Sequence, residues 1–523
     1  MYRKFELGID KPNHEVARKR NGDQKINVVI KTSAITVKYG IMSFRIRLIV
    51  PILLILAAVF LRLYRLPEFT MFLGDQGRDA IIVKRIITFE HFPAIGAPSS
   101  LGQIFLGPFF YYLIAPFLLI SHFNPIGPVF GVAIISIIGI AVSYLIVKKE
   151  VNILAALFFL ILTTFSFVNI EFSRFSWNPN LVPIFSFMTL YFFYKFVATK
   201  NYWFSLAFGT FWAFTIQLHY LSLFLGAPIL FFIIIETSKK KHLDKYFTGA
   251  LIAFLSFIII SVPLFIFDLR HQFLNTKNFI KLFTDANLVS NSSLLSRLLE
   301  TNQLFYMHAL HLSLNEWLVF LFTFFLILIF VKKFLASKYL LLQINFFNFV
   351  FYLLSFSFLN SSRLSHYYNS IYFSFYLILA FLFYQLAKKN RILNILVLVV
   401  LFFYAFINTK DLYFFSINPE NQIKKAERIA DAILQSHPQL PYQTIALPNV
   451  ETDGHIRYFL EIKGERPLPA DTLEQPKELY ILCFAKCQVL GNAQWQIAAF
   501  KQAKIATMWT TEGVTIYKVI HGQ

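Results

Sequence analysis

Charged residues are scarce in this sequence. Asp, Glu, Lys and Arg make up only 15% of its 523 residues, whereas hydrophobic residues make up 57%. Soluble domains carry roughly 25% charged and 45–50% apolar residues, so the composition excludes an ordinary soluble protein. Acidic residues are the scarcer kind, with 28 against 48 Lys and Arg, and the net charge is +20. The positive charge could indicate a nucleic-acid partner or a membrane protein. The positions of the basic residues along the chain distinguish the two.

Cysteine is almost absent. The only two, Cys483 and Cys487, are separated by three residues. With no further cysteine and no partnering histidine, we do not expect a zinc site. The spacing leaves two interpretations open: a disulfide formed in an oxidising compartment, or two buried thiols.

We expect no signal peptide in the N-terminal region. Residues 1–47 have neither a long apolar core nor a cleavage-like site. We predict that residues 1–44 form a basic cytoplasmic tail. Two explanations stay open for the first 41 residues: a disordered extension, or a true start at Met42, which directly precedes the first apolar run.

Long apolar runs fill residues 45–408. They lie near 48–64, 106–121, 126–147, 152–168, 181–197, 203–222, 223–236, 246–267, 316–331, 339–358, 368–386 and 392–408. A helix needs roughly 20 apolar residues to span a bilayer. The sequence therefore predicts a polytopic α-helical membrane protein, inserted in the cell membrane.

The basic gaps between these runs predict the topology. Lys and Arg cluster after Val147, Val197, Thr237, Val331 and Leu386, and such clusters favour the cytoplasmic side. This explains the positive charge, so no nucleic-acid partner is expected. All of these basic gaps fall on the cytoplasmic side only if the short run 106–121, which contains two prolines, does not cross the membrane. We therefore predict that this run is re-entrant or interfacial. We therefore predict about eleven spanning helices.

Residues 409–523 have a different pattern. Their apolar runs are shorter and include strand-like pieces, "QTIALPNV", "ELYILCF" and "VTIYKVI". The preceding "NQIKKAERIADAILQ" has apolar residues at helical spacing. We predict a small soluble α/β domain, which the topology places on the outer side of the membrane.

Unusual polar residues collect in the predicted outer gaps. These gaps are 65–125, 169–180, 268–315 and 359–367, and the helix junction at "LHY" belongs with them. Each Arg or His taken alone fits an interfacial anchor or a packed polar group. Together they predict an anion-binding pocket with one acid, because arginine pairs with phosphate and ionisable groups at membrane depth indicate function. The candidates are Asp75, Arg78, Asp79, Arg174, Asn178, His219, Tyr220, Arg270, His271 and His366.

Asp75, in "GDQGRDA" at 74–80, has three interpretations. It can cap the N-terminus of a helix that follows. It can form a structural ion pair with Arg78, three residues later. It can also be a general base that takes a proton from a hydroxyl.

Four motifs extend this pattern: "GDQGRDA", "LGPFFYYLIAPFLL" followed by "NPIGPVFGVAIISIIGIAVSYLIVKK", "SRFSWNPNLVP", and "LHYLSL" with a later P-x4-DLRH. With these motifs, residues 45–408 resemble the GT-C superfamily of membrane glycosyltransferases. More narrowly, they resemble the family that contains protein O-mannosyltransferases and the lipid A aminoarabinose transferase.

The resemblance implies a function for several candidates. Such enzymes move a sugar from a polyprenyl-phosphate carrier, with inversion, to an acceptor hydroxyl of a lipid, glycan or protein. Asp75 would be the catalytic base. Arg270 and His271, with His219 as a secondary candidate, would bind the donor phosphate. Arg78 and Asp79 would hold the loop or contact the donor or acceptor sugar. From their places in the outer gaps, we also predict substrate-binding roles for Tyr220, Arg174, Asn178 and His366.

One position departs from the family pattern. Gln76 follows Asp75, where many relatives carry an acidic residue. Because hard cations prefer several carboxylate oxygens, we expect no cofactor. Asp79 could still supply a second carboxylate to a divalent metal.

Two other classes of protein fit parts of the pattern. A flippase or transporter of lipid-linked sugars would be expected to carry deeper charges or an internal repeat, and the sequence has no evident repeat. A non-catalytic scaffold would keep the fold without needing an acid at Asp75.

Overall fold

The computed structural model of the chain describes residues 48–99, 104–284, 293–334, 339–359, 363–448, 450–469 and 471–522. The predicted tail at 1–44 lies outside these residues. Residues 1–52 and 53–523 form separate units. Of the first unit, only the start of the first helix is described.

The described residues form 21 α-helices and four strands. The helices are α1 Leu48–Leu63, α2 Leu66–Phe69, α3 Gly74–Ile87, α4 Phe109–Ile120, α5 Ile126–Glu150, α6 Ile153–Phe165, α7 Phe167–Phe172, α8 Val182–Thr199, α9 Tyr202–Leu218, α10 Gly226–Ser238, α11 Leu243–Arg270, α12 Leu274–Thr284, α13 Leu294–Leu310, α14 Glu316–Phe334, α15 Leu340–Phe358, α16 Tyr372–Ala387, α17 Arg391–Lys410, α18 Tyr413–Ser416, α19 Gln422–Gln435, α20 Gly454–Ile462 and α21 Trp495–Ala499. Short 3₁₀ segments lie at Asn178–Leu181, Tyr220–Leu225 and Ser365–Tyr368.

Every predicted apolar run contains a helix. Within the described residues, six segments are long and apolar enough to cross a membrane: Ile126–Glu150, Asn178–Thr199, Tyr220–Ser238, Leu243–Arg270, Leu340–Phe358 and Arg391–Lys410. Helix α4 has 12 residues, with Pro116 inside it. At 1.5 Å per residue its length is about 18 Å, well below a hydrocarbon core of about 30 Å. The total of eleven spans stays a prediction.

The predicted outer gap 268–315 is largely helical. It contains α12 and α13, and α13 packs inside the membrane domain. Phe305 of α13 is fully buried and its ring contacts Phe349, Tyr372 and Phe375. Aromatic pairs of this kind contribute about 0.5–1.5 kcal/mol each beyond burial. The gap between the apolar runs is therefore ordered here, because α13 has an apolar face that the surrounding helices cover.

The C-terminal region contains the predicted α/β domain. Strands β1 Tyr442–Leu447, β2 Glu478–Cys483, β3 Ala503–Thr511 and β4 Val514–His521 form one sheet in the order β1-β2-β4-β3. Strands β1 and β2 are parallel and joined through α20, while β4 is antiparallel to both of its neighbours. Cys483 and Cys487 are joined in a disulfide, one of the two interpretations left open by their spacing.

Helix α3 joins the two parts of the molecule. Its Ala80, Val83 and Ile86 belong to one buried core that also contains residues of α4, α19, α20 and the sheet. On its exposed side, Arg85 pairs with Glu461 of α20 through two hydrogen bonds of 3.0 and 2.7 Å. The helix that carries Asp75 is therefore held from both sides.

Candidate active site

Helix α3 places Asp75 in its first turn. The N-cap residue is Leu73, whose backbone N–H donates to the side-chain oxygen of Gln76 at 3.1 Å. Asp75 is therefore not the N-cap, as one interpretation had it, but its negative charge is favoured near the helix N-terminus. Gln76 stabilises the start of the helix.

Arg78 bridges two carboxylates. Its Nη1 donates to Asp75 Oδ1 at 2.9 Å, and its Nη2 and Nε donate to Asp79 Oδ1 at 2.8 and 3.0 Å. The Asp75 side chain is 59% exposed and that of Asp79 only 3%. Burial raises the pKa of Asp79 although Arg78 opposes the shift. The predicted Asp75–Arg78 ion pair is present, and it fixes an accessible carboxylate.

The backbone of α3 touches the N-terminus of α20. A Cβ on Gly77 would lie 2.2 Å from the backbone nitrogen of His455, and one on Gly454 would lie 2.6 Å from the carbonyl oxygen of Gly74. Neither contact leaves room for a side chain. This glycine crossing (Gly74, Gly77 and Gly454) sets the position of Asp75 relative to the C-terminal domain.

A cavity of about 280 Å³ has Asp75 in its lining. We call it the histidine cavity. Its walls bring together five of the ten predicted site residues, and Trp177 and Tyr367 add aromatic surface. The five are Asp75, Arg78, Asn178, His219 and His366.

The two histidines are next to each other, with ring centroids 5.8 Å apart. His219 lies in extended backbone between α9 and the following 3₁₀ turn, and its Nδ1 accepts the backbone N–H of Leu221 at 3.3 Å. A neutral ring that accepts at Nδ1 carries its proton on Nε2. Burial and the nearby His308 lower the pKa of His366 to about 4, so it is uncharged at neutral pH.

A larger cavity of about 560 Å³ also has Asp75 in its lining. We call it the aromatic cavity. Phe175 and Trp177 line it from the membrane domain, and Phe484 lines it from the C-terminal domain. The loop and helix start at 450–455 contribute Val450, Glu451, Thr452 and His455. Asp75 and Trp177 line both this cavity and the histidine cavity.

A third cavity of about 220 Å³ lies beside the histidine cavity, and Leu106 lines both. We call it the apolar cavity, because most of its walls are apolar side chains, among them Ile216, Leu223, Leu264 and Phe265. At its rim, Asp268 accepts the backbone N–H of Asn275 at 2.7 Å, which anchors the start of α12.

The structure separates other predicted residues from the histidine cavity. Arg270 and His271 are exposed at the end of α11, and neither lines any of these three cavities. In that motif the buried residue is Asp268. Tyr220 lines the apolar cavity, and its ring stacks on His219. The phosphate-binding prediction for Arg270 and His271 has no support from these positions, because the helix end directs them to the surface.

Arg174 has a structural environment. It is 1% exposed, its Nη1 donates to the carbonyls of Leu61 and Arg62, and its Nη2 donates to that of Tyr64. Its guanidinium carbon lies 3.9 Å from the ring centroid of Phe414. With both terminal nitrogens engaged, Arg174 is held away from the substrate-binding role predicted for it.

No group of three or more His, Cys, Asp or Glu side chains suited to a metal ion occurs among the described residues. Metal independence stays a prediction. Residues 450–455 and Phe484 also line the aromatic cavity beside Asp75. No local sequence signal connects them to Asp75, so they were not predicted.

Comparisons with known proteins agree with this architecture. Residues 106–266 match the family model described as dolichyl-phosphate-mannose-protein mannosyltransferase. No curated protein sequence matched significantly. Among solved structures, ArnT from Cupriavidus metallidurans aligns at a TM-score of 0.57 bound to undecaprenyl phosphate and 0.58 in the apo state, at 11% and 12% identity. In both cases 89% of this chain and 97% of that chain are covered.

A further structural match is the archaeal oligosaccharyltransferase AglB from Archaeoglobus fulgidus. It has a TM-score of 0.46 and 14% identity, and the alignment covers 80% of this chain and 64% of that chain. At these identities the ArnT structures establish the fold alone. The chain is a multi-pass membrane protein with the fold of ArnT, and its residues 106–266 match the mannosyltransferase family model.

Proposed function

We propose that this protein is an inverting glycosyltransferase that moves a sugar from a polyprenyl-phosphate donor to an acceptor hydroxyl at the outer face of the membrane. The observation that carries the proposal is the position of Asp75. Its exposed carboxylate, held by Arg78, lines both the histidine cavity and the aromatic cavity.

The donor fits the histidine and apolar cavities. The start of the polyprenyl chain would lie in the apolar cavity, against side chains of α9, the 3₁₀ turn that follows it, and α11. The phosphate would then meet N–H donors from Arg78, His219 and His366. Fixed donors aimed at developing negative charge stabilise a leaving group. In this proposal His219 keeps its predicted role in binding the donor phosphate. Arg78 and His366 take that role in place of Arg270 and His271.

Asp75 has the geometry of a general base. Arg78 engages its Oδ1, while Oδ2 has no hydrogen-bond partner among the residues described. In the reaction, Oδ2 takes the proton of the acceptor hydroxyl, and the hydroxyl oxygen bonds to the anomeric carbon. The bond from that carbon to the phosphate oxygen breaks on the opposite face, and the phosphate leaves with the electron pair.

Two further observations support the proposal. The structurally similar ArnT was solved with undecaprenyl phosphate bound, a lipid of the proposed donor class. The basic gaps favour cytoplasmic loops at the opposite ends of the helices, and the Cys483–Cys487 disulfide fits an oxidising compartment.

A transfer assay with purified protein, undecaprenyl-phosphate-linked sugars and a membrane extract as acceptor source tests the proposal. We expect Asp75→Asn to lower the transfer rate about 10²–10⁴-fold, the usual contribution of a general base, while undecaprenyl phosphate still binds. Asp411→Asn is the matched control, because that side chain is also 59% exposed.

Unchanged transfer by Asp75→Asn would refute the base assignment. If wild-type protein moved lipid-linked sugar across vesicle membranes without transferring it, the transporter alternative would replace the proposed function.

A further inference from the structure

The aromatic cavity has the dimensions of a second substrate site. Its volume of about 560 Å³ falls within the roughly 300–1,000 Å³ of small-molecule pockets. It shares Asp75 and Trp177 with the histidine cavity, and its other lining residues are different. An acceptor needs a site of its own beside the base, because in the proposed function the donor occupies the histidine cavity. The side chains that line the aromatic cavity therefore indicate which class of acceptor it can bind. This inference rests on the proposed function.

The charges in this cavity disfavour an anionic ligand. The described lining residues include the carboxylates Asp75 and Glu451 but no Lys or Arg. Arg78 lines the histidine cavity instead. His455 is buried, and burial lowers its pKa to about 4, so it adds no positive charge at neutral pH. A phosphate group brought here would meet the carboxylates of Asp75 and Glu451, whereas Arg78, the cation beside Asp75, is already paired with Asp75 and Asp79.

The apolar part of the cavity is built from aromatic rings. Phe175 and Trp177 are stacked, with centroids 6.0 Å apart and planes at 26°. Phe484 contributes a third ring from the C-terminal domain, 6.0 Å from the ring of His455. Such rings offer flat apolar surfaces, which suit the C–H face of a pyranose, while its hydroxyl groups need hydrogen-bond partners at the edges.

Those partners are present. Asp75 and Glu451 can accept hydrogen bonds from sugar hydroxyls, and Thr452 can donate or accept one. We propose that the aromatic cavity binds the acceptor and that the acceptor presents an uncharged sugar ring there, stacked on Phe175, Trp177 and Phe484. The receiving hydroxyl then belongs to a neutral glycan, in preference to a phosphorylated lipid or a protein side chain.

Saturation-transfer NMR on the full chain in detergent tests the inference. The probes are methyl glucoside and methyl mannoside, the monophosphates of the same sugars, and a short Ser/Thr peptide. We expect the neutral glycosides to bind weakly, with Kd on the order of millimolar, and more tightly than the other probes. Phe484→Leu should weaken glycoside binding about tenfold, because it retains apolar bulk but removes the ring.

Trp495→Ala is the control, since Trp495 is an exposed aromatic residue of the same domain that does not line the cavity. Thermal unfolding of Phe484→Leu should match wild type, which separates lost stacking from lost folding. Tighter binding of the monophosphates or the peptide would overturn the inference, as would unchanged glycoside binding by Phe484→Leu.

The same samples should be titrated with undecaprenyl phosphate. If that lipid binds and Asp75→Asn abolishes transfer while neutral glycosides do not bind, the acceptor inference fails and the proposed function stands. If Asp75→Asn leaves transfer intact, the proposed function itself fails.

Discussion

The histidine cavity and the aromatic cavity share Asp75 but differ in construction. The histidine cavity is lined by residues before position 368, from helix ends and the loops between them. The aromatic cavity takes nearly half of its lining from the C-terminal domain. The first offers N–H donors, and the second offers rings and carboxylates. In the proposed function, one base thus serves a donor site with N–H groups for phosphate and an acceptor site whose carboxylates disfavour phosphate.

The two cavities also depend differently on the glycine crossing. The histidine cavity can keep most of its walls if the C-terminal domain shifts, because His219, His366 and Asn178 belong to the membrane domain. The same shift of the C-terminal domain would remove Phe484 and residues 450–455 from the lining of the aromatic cavity. Substitutions can therefore affect one cavity more than the other.

The largest effect is expected at the crossing itself. Gly77→Val places a side chain against the backbone of His455, where even a Cβ would be 2.2 Å from its nitrogen. We expect a loss of about 3 kcal/mol in the free energy of unfolding, and about 100-fold slower transfer, since catalysis is sensitive to displacements near 1 Å. Chemical denaturation and the transfer assay measure the two effects.

Gly226→Ala is the control for this substitution, because a Cβ there would come no closer than 3.2 Å to Trp212. Methyl glycoside binding should fall more in Gly77→Val than undecaprenyl phosphate binding. Equal losses of both would show that the two cavities are not separable.

A smaller effect is expected from pH at His455. Its pKa is lowered by burial to about 4 in the folded protein, against about 6.5 in an unfolded chain. As the pH falls from about 6.5 to about 4, the unfolded state takes up the proton first, so stability is full above this window and declines through it. We expect His455 to account for about 2 kcal/mol of that decline.

Urea unfolding at pH 7.5 and 4.5 measures this contribution. Between these two pH values the free energy of unfolding should fall less in His455→Phe than in wild type. His437 is exposed, so His437→Phe should show the full wild-type fall. A His455→Phe variant with the wild-type pH dependence would contradict the assignment.

The smallest effect is expected on the donor side. His366→Gln should weaken undecaprenyl phosphate binding about tenfold, which corresponds to about 1.4 kcal/mol and to one hydrogen bond to a charged group. Methyl glycoside binding should be unchanged. His91→Gln, at an exposed histidine, is the control, and isothermal titration with both ligands provides the measurement. Equal weakening of both ligands would remove the distinction between the cavities.

The sequence predicted the membrane helices well, because long apolar runs have few other structures available to them. It also predicted the Asp75–Arg78 pair, which depends only on helical spacing. His219, His366 and Asn178 were grouped correctly on the basis of charge-derived topology, although the roles given to them stay predictions.

Other features could not be predicted locally. The direction of Arg270 and His271 depends on where α11 ends and how α12 turns back at Asp268. The contact between Gly77 and His455 joins residues more than 370 positions apart, and nothing in "GDQGRDA" indicates a partner. The burial of α13 likewise depends on the helices that surround it.

The glycine crossing also has a consequence for synthesis. Asp75 is among the first residues of the membrane domain to be made, and Gly454 is made almost 380 residues later. Until α20 has been translated and delivered to the same side of the membrane, α3 lacks its backbone partner and the aromatic cavity lacks Phe484. In the proposed function, the donor site would therefore be complete before the acceptor site.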